Sequence, residues 1–121
     1  MILSGIPPRK ELLFMGNSRE VLRGFPKVAR KALGDELSTL QMGFIPRHYR
    51  PLPSIGPGVY ELRHQDERAW YRVAYLMRMK GRIFVLHVFE KETGKTSKRD
   101  LRTLALRLKE AMAHTRRERN T

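Results

Sequence analysis

Apolar residues recur along the first third of the chain with two different spacings. A contiguous apolar run within residues 10–15 is typical of a strand, and residues 19–23 predict a short helix with Asn17 or Ser18 as its N-cap. Apolar residues then return every three or four positions, which predicts the buried face of a second helix that ends at Gly43: Ala29, Leu33, Leu37 and Leu40. We expect the two helices to form a hairpin that packs on a sheet.

The rest of the chain predicts a loop, a three-stranded meander and a final helix. Residues 44–58 contain too many prolines and glycines for regular structure. Three strand-like runs follow at 59–64, 70–79 and 82–91, and the short polar turns between them favour antiparallel pairing. From Ser97 onward the apolar spacing is helical again: Leu101, Leu104, Ala105, Leu108, Ala111 and Met112.

This order of elements predicts an α+β fold in one domain over residues 1–121. An N-terminal strand and a helical hairpin pack on an antiparallel sheet, and a C-terminal helix completes the domain. Residues 1–9 and 115–121 are expected to be loose ends. A chain of 121 residues has room for one core, because two domains of half that length would each bury too little surface.

The net charge of the chain limits the kinds of molecule that it is expected to bind. There are 25 lysines and arginines against 12 aspartates and glutamates, which gives a net charge of +13 and a pI near 10.9. A field of this sign attracts polyanions, so nucleic acid, an anionic membrane and an acidic partner protein are the candidates. The alternative is that the charge serves only solubility.

The residues that the sequence lacks disfavour several kinds of chemistry. The absence of cysteine excludes disulfides, thiolate catalysis and cysteine-bound zinc. Nucleotide-binding glycine motifs and HExxH are absent, and the carboxylates are not clustered as a metal-dependent nuclease requires, so we expect neither metal nor cofactor. The N-terminus lacks the pattern of a signal peptide and no apolar run could span a bilayer, which predicts a cytoplasmic protein.

Cationic side chains occupy strand positions where an apolar residue is the default. Arg72 lies in the middle of the second strand of the meander, while Glu61 and Arg63 share one face of the strand before it. A central-strand arginine is costly unless an anion meets it. Two interpretations stay open: Arg72 pairs with Glu61 as a structural ion pair, or its guanidinium holds a phosphate.

The third strand and the segment after it add further polar groups. Lys91 ends that strand, and Lys95 and Lys98 follow it. His87 lies within the strand and is either a hydrogen-bonded core histidine or a residue that contacts RNA.

Aromatic residues alternate with these cations: Tyr60, Trp70, Tyr71, Tyr75, Phe84 and Phe89. This mixture suits single-stranded RNA, because bases stack on aromatic rings while cations neutralise the backbone. Most of the rings must belong to the core of so small a sheet. Tyr75 and Phe89 are the two predicted to touch RNA.

The same strands carry a family resemblance. Its pieces are Gly58-Val59-Tyr60-Glu61-Leu62-Arg63, Tyr71-Arg72-Val73-Ala74-Tyr75, Leu86-His87-Val88-Phe89-Glu90-Lys91 and Thr93-Gly94-Lys95-Thr96. Taken together, over residues 20–110, they resemble the phage-derived branch of the RelE/ParE toxin superfamily, which includes HigB-type toxins. The chain departs from the family pattern at Glu92, where a second lysine is usual, and at Ser97, where a proline is usual.

The resemblance implies a RelE-like toxin of a type II toxin–antitoxin system that cleaves mRNA on the ribosome. The 2′-hydroxyl of the RNA would be the nucleophile, and no metal ion would take part. Arg72 would clamp the scissile phosphate, Arg63 and Lys91 would neutralise charge or transfer protons, and Lys95 and Lys98 would hold flanking phosphates. The implied partner is a helix-turn-helix antitoxin of the XRE type, in a hetero-oligomer with the toxin.

Two other functions stay open at this point. A ParE-like toxin that inhibits gyrase resembles the same fold but usually lacks the cationic strand residues, so Arg63, Arg72 and Lys91 favour RNA. A non-enzymatic nucleic-acid-binding phage protein would require only the charge.

Overall fold

The computed structural model describes residues 9–77, 81–92 and 95–119, which form a five-stranded sheet with helices on both faces. The elements in chain order are β1 (Glu11–Phe14), α1 (Ser18–Arg23), α2 (Lys27–Gln41), β2 (Tyr49–Pro51), β3 (Val59–Gln65), β4 (Trp70–Leu76), β5 (Arg82–Lys91) and α3 (Lys98–Arg119). The predicted α+β class and the predicted order of strand, helices, meander and helix are confirmed.

The strands lie in the order β1-β5-β4-β3-β2. The pairs from β2 to β5 are antiparallel, as the short turns predict, whereas β1 pairs parallel to β5 with Leu12 opposite Ile83. A parallel pair requires a long connection between its two strands. Here α1, α2 and the whole meander provide that connection, so β1 closes one edge of the sheet from a distant part of the sequence.

The two faces of the sheet bury two separate cores. Under α1 and α2 lies the larger one, which contains Ala29, Leu33, Leu37, Leu40, Leu62, Tyr71, Val73, Tyr75, Ile83, Val85 and Val88. On the other face α3 packs Leu104 and Ala111 against Val59, Leu76 and Phe84. These three strand residues all lie at the same end of the sheet. At the other end this face carries charged residues, and the candidate site lies there.

Several boundaries differ from the sequence predictions. Residues 44–58 contain the short strand β2, which pairs along the edge of β3 and ends at Pro51, because proline cannot extend a ladder. Helix α3 continues to Arg119 and buries Thr115, so the chain is ordered beyond the predicted start of the loose end. The predicted strand end at Met79 and residues 1–8 lie outside the described residues.

Two local predictions about the helices are also corrected. Asn17 precedes α1 without a side-chain capping bond, since its Oδ1 accepts a hydrogen bond from Arg107 instead. Leu101 and Ala105 of the predicted apolar stripe are exposed, whereas Leu104 and Ala111 are buried. None of the helices that the structure describes is both long and apolar enough to cross a membrane.

Candidate nucleic-acid interface

The charged end of the sheet face under α3 consists of three rows of cross-strand neighbours. The rows follow from the register of β3, β4 and β5, and their members are Glu61, Ala74 and His87, then Arg63, Arg72 and Phe89, then Gln65, Trp70 and Lys91. Arg50 of β2 extends the first row beyond Glu61. We call this surface the polar face. It places positive groups from four strands side by side, and these are Arg50, Arg63, Arg72 and Lys91.

An irregularity in β5 decides which of its residues reach the polar face. The register with β4 shifts between Ala74 and Tyr75, so that Ala74 lies opposite His87 while Tyr75 lies opposite Val85. Leu86 is the extra residue of this bulge. Strict alternation from Phe84 would place His87 and Lys91 on the α1–α2 face, and the bulge reverses that parity.

Glu61 lies at the centre of the first cluster, which comprises Glu61, Arg63 and Arg72 and is called the Glu61 cluster. Its Oε2 lies 3.5 Å from Nη1 of Arg72, and its Oε1 lies 3.3 Å from Nε of Arg63. The side chains of Glu61 and Arg72 are 1% and 3% exposed, whereas that of Arg63 is 21% exposed. Arg72 also donates a hydrogen bond of 3.2 Å to Oγ1 of Thr96.

Burial and charge oppose each other in the Glu61 cluster. Burial raises the pKa of Glu61 above its ordinary value, although Arg72, Arg63 and Arg50 act to lower it. Burial and the neighbouring Arg72 lower the pKa of Arg63, and Glu61 partly offsets this effect. The carboxylate is therefore the anion that makes two adjacent guanidiniums tolerable in the sheet.

The location of Arg72 resolves the two interpretations that the sequence leaves open. Its guanidinium faces Glu61 and Thr96 and is almost completely buried, which is the structural ion pair. The prediction that Arg72 clamps a phosphate directly is therefore wrong, because its guanidinium is not accessible to an RNA backbone. Arg63 and Lys91 remain accessible in part, with 21% and 24% of their side chains exposed.

Asp100, near the start of α3, lies at the centre of a second cluster with His87, Lys91 and Ser97, called the Asp100 cluster. Its Oδ2 accepts hydrogen bonds from Lys91 at 2.6 Å and from Ser97 Oγ at 2.7 Å, and its Oδ1 lies 2.9 Å from Nε2 of His87. Ser97 Oγ in turn accepts a bond of 3.1 Å from the backbone N–H of Asp100. Ser97 therefore caps α3.

The hydrogen bonds in the Asp100 cluster fix its protonation. Burial alone would raise the pKa of Asp100, but the bonds from Lys91, His87 and Ser97 outweigh it and lower the pKa to about 2. Burial lowers the pKa of His87, and although Asp100 opposes this effect, Arg107 and Lys91 reinforce it. Because Arg107 Nη1 lies 3.2 Å from Nδ1, the ring is neutral with its proton on Nε2, directed at Asp100.

The remaining predicted RNA contacts differ in where the structure places them. Lys95 and Lys98 are exposed. Tyr75 is only 1% exposed, lies on the α1–α2 face and stacks on Tyr60, so its predicted RNA contact is corrected. Phe89 is on the polar face, but it is 6% exposed and stacks on His87 at 4.7 Å, so it offers almost no ring surface to a base.

Sequence reasoning missed three residues that shape this surface. Asp100 was detectable, because Ser97 and Asp100 have the spacing of a capping box at the start of a helix. Arg107 had no local signal, since its partners His87, Leu86 and Asn17 come from distant elements. Trp70 was seen only as one aromatic among several.

Trp70 lies beside an open groove at the edge of the polar face, where Arg63 places its guanidinium carbon 4.2 Å from the centre of the indole. The groove has a volume of about 550 Å³ and is lined by Arg47, His48, Arg50, Arg63, His64 and Trp70, among others. We call it the edge groove. Among residues 9–77, 81–92 and 95–119, there is no group of three or more histidines and carboxylates that could hold a metal ion.

One comparison with known proteins identifies relatives of this chain. Residues 20–109 match the model of the family described as phage derived protein Gp49-like. No curated protein and no solved structure matched the chain. The match agrees with the phage-derived branch that the sequence motifs indicate, whereas the narrower resemblance to RelE and HigB toxins stays a prediction.

Proposed function

The chain belongs to the Gp49-like family of phage-derived proteins, and on that premise we propose that it is a toxin that cleaves mRNA on the ribosome. The observation that carries the proposal is the pairing of two carboxylates with basic groups on one sheet face. Glu61 holds Arg63 and Asp100 holds Lys91, and each of these cations keeps part of its side chain exposed. Positioned cations of this kind are what phosphoryl transfer from RNA requires.

In the proposed reaction the 2′-oxygen of the RNA attacks the adjacent phosphorus and the 5′-oxygen leaves. Arg63 and Lys91 stabilise the negative charge that develops on the phosphate oxygens. Lys91 has three N–H donors and uses one for Asp100, so it can also donate a proton to the leaving oxygen. His87 has no free ring nitrogen, since Nε2 donates to Asp100 and Nδ1 accepts from Arg107, so the proton of the 2′-hydroxyl passes to solvent water.

Arg72 acts in this proposal as a positioning residue. It shares Glu61 with Arg63 and donates to Thr96, so it holds the carboxylate in place below the exposed guanidinium. Its positive charge also contributes to the field at the surface, where Lys95 and Lys98 add further attraction for the flanking phosphates.

The ribosome supplies what this site lacks. Both ring nitrogens of His87 are engaged in protein contacts, at 2.9 Å to Asp100 and 3.2 Å to Arg107. Without a free base at the site, attack by the 2′-oxygen is slow unless the RNA is held in line, and in this proposal the ribosome holds the mRNA in that geometry. We therefore propose that free RNA is a poor substrate.

We also propose that a helix-turn-helix antitoxin, acidic where it meets the polar face, binds this protein. With a net charge of +13, the free protein is expected to associate with many polyanions, and a bound acidic partner would prevent this. Co-expression with the product of the neighbouring gene should protect cells and yield a complex on purification. Failure of both would contradict this partner.

Cleavage on stalled ribosomes tests the proposed function. Ribosomes that carry an mRNA with an empty A site are mixed with the protein, and primer extension maps new 5′ ends. The wild type and Lys27→Ala, which removes an exposed cation of α2, should cut bound mRNA and leave free mRNA nearly intact. Arg63→Ala with Lys91→Ala should not cut. Intact mRNA with inhibited gyrase would instead indicate the ParE-like alternative.

A further inference from the structure

The edge groove has the dimensions and the lining of a nucleotide site. Its volume of about 550 Å³ falls within the range that small-ligand pockets occupy, roughly 300–1,000 Å³. It lies where the short edge strand β2 leaves the end of β3 unpaired, since β2 pairs only with residues 60–62 of β3. Its lining combines three arginines with an indole and two imidazoles.

The stacked pair of Arg63 and Trp70 forms the floor of the groove. The guanidinium carbon of Arg63 lies 4.2 Å from the centre of the Trp70 ring, a cation–π contact. Nε of Arg63 lies 3.3 Å from Oε1 of Glu61, an ion pair that holds the guanidinium near the indole. In recognition of single-stranded RNA, bases stack on aromatic rings and on arginine planes of this kind.

Two more arginines stand at the mouth of the groove. Arg47 and Arg50 are exposed on either side of Tyr49, and Arg50 is also the cross-strand neighbour of Glu61. The positive charges of these two arginines would attract the phosphates on either side of one base. The groove therefore combines a stacking platform with charge, which is the combination that single-stranded nucleic acid uses.

We propose that the edge groove binds one nucleotide of single-stranded RNA, with its base stacked on the Arg63–Trp70 pair and its phosphate near Arg47 and Arg50. This inference rests on the proposed function, because it assigns that nucleotide a place beside the cut. Arg63 contributes to both sites: its Nε meets Glu61 and its plane covers Trp70. The base in the groove would thus influence where the RNA is cut.

Trp70 provides a direct measurement of this binding, since it is the only tryptophan in the chain. Short single-stranded RNA oligonucleotides are titrated into the protein and the indole emission is followed. A base stacked on the pair should quench the emission with saturation. Tripolyphosphate, which has the charge but no base, is the matched ligand control and should quench far less.

Variants at the mouth and on the floor separate charge from stacking. Arg50→Ala should weaken oligonucleotide binding and reduce the dependence on salt by about 0.7 in the log–log slope, whereas Lys27→Ala on α2 should change neither. Binding of a labelled oligonucleotide should weaken about fivefold to a hundredfold in Trp70→Leu, and Trp70→Phe should restore most of it, because a ring remains for stacking.

The outcomes distinguish this inference from the proposed function. Saturable quenching by RNA that Arg50→Ala weakens supports the groove, even if the protein cuts no mRNA. Equal quenching by tripolyphosphate, or unchanged binding and unchanged cut sites in Trp70→Leu on ribosomes that the protein does cut, would overturn the groove while leaving the cleavage proposal intact.

Discussion

Glu61 and Asp100 each hold basic side chains on the polar face, but they differ in burial and in the chemistry of their partners. Glu61 is 1% exposed and faces arginines from β3 and β4, which stay charged at any accessible pH. Asp100 is 14% exposed and faces a lysine and a histidine, which can give up or accept protons.

This difference shows how one small sheet face can contain both a stabilising ion pair and groups that are able to transfer protons. A buried carboxylate between guanidiniums fixes charge in place and costs stability if either partner is lost. A partly exposed carboxylate between titratable groups orients them, and here Lys91 keeps 24% of its side chain exposed. We therefore assign the stability of the polar face to the Glu61 cluster and, in the proposed cleavage reaction, the donation of a proton to Lys91 of the Asp100 cluster.

The largest expected effect is on stability, from Glu61→Leu. The change leaves the guanidinium of Arg72, only 3% exposed, without its carboxylate, and should lower the free energy of unfolding by about 3–5 kcal/mol. Urea denaturation followed by circular dichroism measures this. The double variant Glu61→Leu with Arg72→Leu should recover much of the loss, because both buried charges are then gone. If Glu61→Leu alone were as stable as the wild type, the Glu61 cluster would not be what stabilises the polar face.

A smaller effect is expected from acid, through the Asp100 cluster. The folded protein holds the pKa of Asp100 at about 2 against an ordinary value of 3.8, so its contribution of about 2 kcal/mol is present above pH 4 and is lost as the pH falls towards 2. The slope of stability against pH in this window should be shallower in Asp100→Asn. Identical slopes would show that the bonds of Asp100 do not form in solution.

The smallest effects are expected from the exposed lysines. Lys95→Ala or Lys98→Ala should leave stability unchanged and weaken ribosome association only modestly, with each change reducing the salt dependence by a slope of about 0.7–0.9. Sedimentation with ribosomes at several salt concentrations measures this. If association were independent of salt in the wild type, the basic surface would not be what attaches the protein.

Most of the fold could be predicted from the sequence, because most of its helices and strands have a recognisable local pattern of apolar residues. The alternation in 59–64 and 82–91 and the helical spacing of Ala29, Leu33 and Leu37 each depend on neighbours a few positions away. The strand β2 was hidden because it is three residues long within a segment rich in proline. The parallel pairing of β1 with β5 was hidden because its partners lie about seventy positions apart in the sequence.

The candidate site was predictable in its residue types and less so in its geometry. Arg63, Lys91 and His87 do share a face, but alternation alone could not show this for β5, since the bulge at Leu86 reverses its parity. Tyr75 and Phe89 were chosen as RNA contacts because exposure cannot be read from a strand that is buried on both faces. The indole of Trp70, the first residue of β4, is more accessible than the rings of Tyr75 and Phe89.

The central claim is the division of labour between the two clusters, and one paired measurement tests it. Melting temperature and cleavage rate on stalled ribosomes are measured for Arg72→Ala and Lys91→Ala. The account predicts that Arg72→Ala melts several degrees lower, because it strands Glu61. It predicts that Lys91→Ala loses less melting temperature than Arg72→Ala, because His87 and Ser97 still hold Asp100, and cuts about a hundredfold to a thousandfold more slowly. An Arg72→Ala protein with unchanged melting temperature and no cleavage, beside a Lys91→Ala protein that cuts at the wild-type rate, would contradict it.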